Sequence, residues 1–399
     1  MALYVRVGSR FETKKTNGVS HFLEHMLYRG TDTLTSAHEV NLAFERLGGY
    51  LYAATHTDFG VFSVTLPPES LAEASRLFAE VLTRPVFRDI DTERGIVSEE
   101  ILEDLDDEGR MVDADNLSRA LIYGDHPLGF TITGTEAQVR AFSKPTLARH
   151  HKKHYTQATS VLSFSGAIDP KEVLSLAAKH WKDLPAGKPI RASRPVHTQQ
   201  KPRLQIVPNM SSQTELRVCL RAIAERSPMR PAMDMLMRIL DDGMSTRLYH
   251  RLSDERGLCY DVSASFDGYE DDGILDFAAS CQHDRTHTVT REILALMKEL
   301  AKDGPTKAEL EKAKQRNAWD VRGMADSPED WGGFFAGGHL FDRFETPWER
   351  LARNAKVTAD DIKRMAAYLA RPEQLNVLAV GMVEGKNHTR LQKVIADFS

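Results

Sequence analysis

Residues 21–25 read His-Phe-Leu-Glu-His. On a helix, His21, Glu24 and His25 fall at i, i+3 and i+4 and share one face. Two imidazoles one turn apart can hold one zinc ion, and the carboxylate between them can act as a base toward water. The local signals favour a helix: Asn17, Gly18 and Ser20 mark a start, and HFLEHML is a compact apolar stretch ending before Gly30. A catalytic zinc takes three protein ligands and keeps one position open. The pair of histidines therefore requires a third ligand from elsewhere in the chain.

TERGIVSEEILEDLDDE (92–108) offers candidates. It is predicted to be a helix with Ile96, Val97, Ile101 and Leu105 on its apolar side. Glu93 and Glu100 lie seven residues apart and share a face. Spacing alone leaves Glu99, Glu100, Glu103 and Asp104 open as the ligand. A further cluster, His150, His151, His154 and Tyr155, contains an i, i+4 histidine pair, but no motif places an acidic partner for it. It reads as a solvated face of a basic helix.

The elements that position these groups belong to a long chain. At 399 residues it is sized for two domains of roughly 200 residues. Apolar residues make up 41% and charged residues 27%, the balance of a globular protein rather than a disordered one. A net charge of −5 gives no global field for nucleic acid. The apolar runs fall short of the ~18 residues that span a bilayer, and the beginning shows no signal-peptide pattern. Cys219, Cys259 and Cys281 are odd in number and too few for a disulfide scaffold. A reducing, cytoplasmic location without membrane or nucleic-acid partners is expected.

The two halves echo each other. SVLSFSGAID (160–169) followed by PKEVLSLAAKHWKDL (170–184) reads as strand, glycine turn and a helix capped by Asp169. NVLAVGMVEG (376–385) followed by KNHTRLQKVIADF (386–398) repeats that unit, and 74–102 resembles 291–321 in its helix, break and second helix. The proline-rich stretch 186–203 is the expected linker between domains 1–185 and 204–399. YVRVGSRF (4–11), FGVFSVTL (59–66), ELRVCLRA (215–222) and LDFAAS (275–280) alternate as strands do. The predicted fold class is α+β: two tandem homologous α/β-sandwich domains, each a largely antiparallel sheet with helices on one face.

With these residues in view, the chain resembles the pitrilysin/insulinase family of zinc metallopeptidases. Within it, the likeness is to the short two-domain branch of mitochondrial processing peptidase and its bacterial relatives. The matching stretches are GSRFETKKTNGVSHFLEHMLYRGT (8–31), LGGYLYAAT (47–55), TERGIVSEEI (92–101), HPLGFTITGT (126–135) and DDGMSTRLYHRLSDERGLCY (241–260). The resemblance implies zinc bound by His21, His25 and Glu100, with Glu24 as general base and Glu93 supporting the ligands from behind. It implies a substrate added as a strand along Gly49, Tyr50, Leu51, Tyr52, Ala53 and Thr55. It also implies a degenerate second domain that supplies Tyr260 to the reaction across a closed cavity.

Three departures from the family pattern stand out. Ser253 occupies the place of an arginine seven residues before Tyr260, with Arg251 and Arg256 nearby. Tyr52 stands where the family's GGxxNAxT motif has asparagine. The strand pair that usually precedes YVRVGSRF is not in this sequence: either the chain is naturally shortened, or its beginning was lost, or a partner fills the missing edge. The expected function is a zinc-dependent endopeptidase for extended peptides, working as a homodimer or as a heterodimer with another family member. The competing expectation is a weakly catalytic or non-catalytic binding and assembly subunit of the same fold. A purely structural zinc protein fits less well, because no cysteine occurs in the first 218 residues.

Overall fold

A computed structural model describes residues 1–398. Strand β1 (Ala2–Val5) buries Leu3 and Val5 completely and leaves Ala2 and Tyr4 half-buried, the alternation of a strand with one core face. It pairs antiparallel with β3 (Gly60–Ser63) and β4 (Ser160–Ser163), and β3 pairs with β2 (Tyr52–Thr55). The order is β2-β3-β1-β4, so β2 is an edge strand. Register puts Thr55, Gly60, Val5 and Ser160 in one row and Ala53, Phe62, Leu3 and Leu162 in the next, on the same face. Tyr52, Ser63, Ala2 and Ser163 face the other way.

The second sheet contains β5 (Arg203–Val207), β6 (Thr214–Arg221), β7 (Cys259–Gly268), β8 (Gly273–Cys281) and β9 (Leu375–Val380) in the order β5-β9-β6-β8-β7. Only the β5–β9 pair is parallel. The helices that frame these sheets are α1 (Val19–Leu27), α2 (Ile90–Glu103), α3 (Ala114–Tyr123), α4 (Lys144–His154), α5 (Arg230–Leu240), α6 (Thr286–Asp303), α7 (Lys307–Met324) and α8 (Pro328–Leu340).

The chain folds as two units whose segments interleave. Unit 1 comprises Met1–Glu103, Phe130–Ser193 and Gly323–Glu345; unit 2 comprises Asp104–Gly129, Arg194–Arg322 and the stretch from Thr346. In each unit most helices cover one sheet face. In unit 2, Leu216, Val218 and Leu220 point into a core with Met233, Leu236, Ile293 and Met297. On the opposite faces, α8 packs on β1 and β4 in unit 1, and α3 packs on β6 and β9 in unit 2. Glycines let α8 come close, since a Cβ on Gly333 would sit 3.1 Å from the Tyr4 hydroxyl.

Local differences from expectation have local causes. The first strand is shorter than YVRVGSRF, because Ser9–Phe11 winds into a 3-10 turn. The helix expected over 92–108 ends at Glu103, because Asp106 accepts the amide hydrogens of Glu108 and Arg110 and folds the acidic run into a turn. The histidine cluster is corrected outright. His154 and Tyr155 are fully buried and His150 and His151 half-buried, while Lys152 and Lys153 face solvent. His151 Nε2 lies 2.8 Å from the Leu82 carbonyl, His154 Nδ1 2.8 Å from the Arg6 carbonyl, and His150 Nε2 3.0 Å from Ser20 Oγ. Burial pulls the His154 imidazole down to about 4, so it is a neutral core residue. Leu147 on the same side of α4 sets that orientation.

Candidate metal centre

Helix α1 begins where a buried carboxylate collects its free amides. Glu12 Oε1 accepts from Ser20 N at 2.7 Å, and Oε2 accepts from Gly18 N at 2.8 Å and Asn17 Nδ2 at 3.1 Å. Burial raises the Glu12 carboxyl, and these hydrogen bonds oppose the rise. Gly18, the N-cap, has φ 88°, and a Cβ there would meet the Thr133 carbonyl oxygen at 2.4 Å. From this start Phe22, Leu23, Met26 and Leu27 are buried, while Glu24 and His25 remain half-exposed.

Helix α2 buries Glu93, Val97 and Ile101 at four-residue intervals. That rotation brings Glu100 to α1. Glu100 Oε1 lies 3.2 Å from His21 Nε2, and Oε2 lies 3.5 Å from His25 Nε2. Among the described residues, His21, His25 and Glu100 are the group of three whose donor atoms all fall within 4.8 Å of one another. Glu99 and Glu103 do not join it. Separations of 3.2 and 3.5 Å match the roughly 3.3 Å between donors around a tetrahedral zinc with bonds near 2.0–2.1 Å. Two nitrogens and one carboxylate suit zinc, so the residues present fit it.

The surroundings fix these groups. His25 Nδ1 donates to Glu93 Oε1 at 2.8 Å, which commits its Nε2 to the opposite side. Arg29 donates to the other oxygen of Glu93. Burial disfavours a charge on His25, but its bond to Glu93 and the charges of Glu93, Glu24 and Glu100 raise it overall. Burial also works against the Glu93 carboxylate, yet its bonds to His25 and Arg29 hold it below the usual range. The field at the site therefore attracts positive charge. His21 Nδ1 is buried and has no hydrogen-bond partner among the described residues.

Edge strand β2 lies beside this group. The Thr55 hydroxyl donates to Glu24 Oε2, and the Tyr28 hydroxyl donates to the Leu51 carbonyl at 3.3 Å. Tyr50 and Tyr52 are exposed, Ala53 is half-buried and Leu51 is buried. Gly49 packs so tightly that a Cβ would approach the Thr65 carbonyl oxygen at 2.4 Å. Glu12, Tyr28 and Arg29 gained no role from the sequence. The signal for the latter two was their spacing, four residues beyond Glu24 and His25 on the same helical face. In unit 2, Tyr260 is 95% exposed on β7. Arg251 pairs with Glu299 at 2.8 Å and Arg256 with Glu292 at 2.8 Å.

Comparison with known proteins gives the class. Residues 1–136 match the family model described as Insulinase (Peptidase family M16), and residues 141–317 match Peptidase M16 inactive domain. An uncharacterised zinc protease of Mycobacterium leprae is 30% identical over 79% of this chain and 71% of its own length. One from Streptomyces coelicolor is 29% identical over 99% of this chain and 87% of its own. The crystal structure of a peptidase M16 inactive domain from Pseudomonas fluorescens has a TM-score of 0.87 at 21% identity, covering 95% of this chain and 92% of that one. The two-domain α+β fold is thus that of known M16 structures. The chain belongs to the M16, or pitrilysin/insulinase, family of zinc peptidases. No helix among the described residues is long and apolar enough to cross a membrane.

Proposed function

We propose that this protein is a zinc-dependent endopeptidase that hydrolyses extended or unstructured peptides. The observation that carries this reading is the convergence of His21, His25 and Glu100 beside Glu24 and a sheet edge that is unpaired among the described residues. His21, His25 and Glu100 hold the metal, which when bound supplies Lewis acidity and a more acidic water. Glu93 orients His25. Glu24 takes the proton from the attacking water and returns it to the leaving amine. Backbone pairing along Gly49–Thr55 supplies affinity without demanding one sequence, which favours broad peptide substrates.

Zinc content and hydrolysis of a quenched peptide library by the purified chain test this directly. Glu24→Gln is expected to keep zinc and fold while turnover drops by at least ~10²-fold. A fully active Glu24→Gln protein ends the mechanism.

A second reading, a binding or assembly subunit of a two-chain peptidase, is favoured by Ser253 and by the pairing of Arg251 and Arg256 with glutamates of α6. On that reading the isolated chain holds zinc but turns over peptides poorly until an outside subunit of the same family joins it. Ser253→Arg then raises its rate. Efficient cleavage by the lone chain, unchanged by Ser253→Arg, rejects it.

A further inference from the structure

Two hydroxyls tie the helix that carries Glu24 to the edge strand. Thr55, at the end of β2, donates to Glu24. Tyr28, one turn beyond Glu24, donates to the carbonyl of Leu51 immediately before β2 begins. The two anchors are four residues apart on both elements, and they bracket the whole strand. On its other flank β2 is held only by the ladder to β3, and its outer edge is unpaired among the described residues. Its entry is fixed further by Gly48, at φ 89°, and by the close packing of Gly49.

The Thr55 hydroxyl is engaged with a carboxylate on the core-facing side of the sheet. A peptide added to β2 would instead meet the strand's outward backbone groups. The Thr55 hydroxyl therefore acts through Glu24 rather than on a substrate, which the strand's backbone would bind. A carboxylate on a helix has several rotamers, and one donated hydrogen bond selects among them. The Tyr28 bond does the corresponding work for the strand, because the Leu51 carbonyl sets where the edge begins relative to α1.

We propose that Thr55 and Tyr28 are paired positioning residues. Thr55 fixes the carboxylate of Glu24, Tyr28 fixes the entry of the edge strand, and together they set the register between the base and the peptide backbone. The proposal rests on the peptidase reading given above, and its test separates the two. In the zinc-loaded full chain, Thr55→Val is expected to lower kcat about tenfold or more, with KM within twofold and zinc content unchanged. Thr55→Ser, which keeps the hydroxyl, is expected to recover most of the rate. Tyr28→Phe is expected to weaken binding of an uncleaved peptide to the Glu24→Gln protein by roughly two- to tenfold. It should also speed amide hydrogen exchange across residues 51–55.

An unchanged kcat in Thr55→Val overturns the proposal. So does a raised KM at constant kcat, which marks Thr55 as a substrate contact, or a Thr55→Ser protein as slow as Thr55→Val. If the parent chain cleaves no peptide, the peptidase reading fails, and crystal structures of the parent and Thr55→Val proteins decide the rest. A displaced Glu24 carboxylate in the variant supports the positioning role, and one left in place refutes it.

Discussion

The two sheets are built alike, and they treat charge differently. β2-β3-β1-β4 in unit 1 and β7-β8-β6-β9 in unit 2 share order and antiparallel pairing. The long helices correspond as well: α2 buries Glu93, Val97 and Ile101, and α7 buries Ala313, Asn317 and Val321 at the same spacing. Seven residues beyond the first of each set stand Glu100 and Asp320. Glu100 faces two imidazoles. Asp320 faces Arg238 of α5 at 2.7 Å, and the same guanidinium holds Asp242 at 2.9 Å. Unit 2 thus carries its own fixed cation at this place. Unit 1 instead sets two imidazoles among surplus carboxylates, a donor set that a metal ion would fit.

The sheets differ at the far side too. β5 lies parallel along β9, which is buried throughout, whereas β4 has no such neighbour among the described residues and stays half-buried along its length. For these two strands, pairing on both edges goes with full burial and pairing on one with partial exposure.

The largest expected effect separates the two charge patterns. His21→Ala or Glu100→Ala should remove most bound zinc, a loss beyond the ~10–100-fold in affinity that follows from deleting an outer partner of a ligand. Arg238→Met in unit 2 should leave zinc content unchanged and cost about 1–2 kcal/mol of stability. Elemental analysis and denaturant melts check both. Zinc loss in Arg238→Met would erase the distinction between the units.

Acid should sharpen the contrast. His154 is held at about 4 by burial, well below the ~6.5 of a free histidine. The unfolded chain therefore takes up a proton first, and the stability of unit 1 is lost as pH falls from about 6.5 toward 4, by up to about 3 kcal/mol. Glu309 in unit 2 lies at about 2, where its bonds to Arg247 and Thr306 outweigh burial. Its contribution is whole above ~4.3 and is lost only as pH falls from there toward 2, and solvent screening limits it to about 1 kcal/mol. Hydrogen exchange between pH 7 and 5 should show unit 1 loosening first. Earlier loosening of unit 2 contradicts this assignment.

A smaller effect concerns how each helix starts. α5 begins with Pro231 in its first turn and has no side-chain cap, whereas α1 depends on the buried Glu12. Glu12→Ala should cost about 2 kcal/mol and weaken zinc retention, because the amides of Gly18 and Ser20 lose their acceptor. Thermal melts with and without a chelator measure it. Equal loss in both conditions would uncouple the helix start from the metal.

Neighbouring residues encode the local features of this chain. The helical spacing of His21, Glu24 and His25, the Asp169 cap, the alternation of β6 and β8 and the repeated strand–helix ending all depend on periodicities a few residues long. Those are set by backbone geometry. Spacing alone left Glu99, Glu100, Glu103 and Asp104 equivalent, because any acid on a helix can point anywhere until the helix packs. Burial of Val97 and Ile101 turned Glu100 toward α1. The same kind of choice, made by summed burial rather than by local signals, drove His154 inward despite its basic neighbours. It also placed α3 and α8 on sheets formed mainly by the other half of the sequence. The hydroxyls of Tyr28 and Thr55 became meaningful only there, since a single hydrogen bond between residues about 30 positions apart leaves no periodic trace in the sequence.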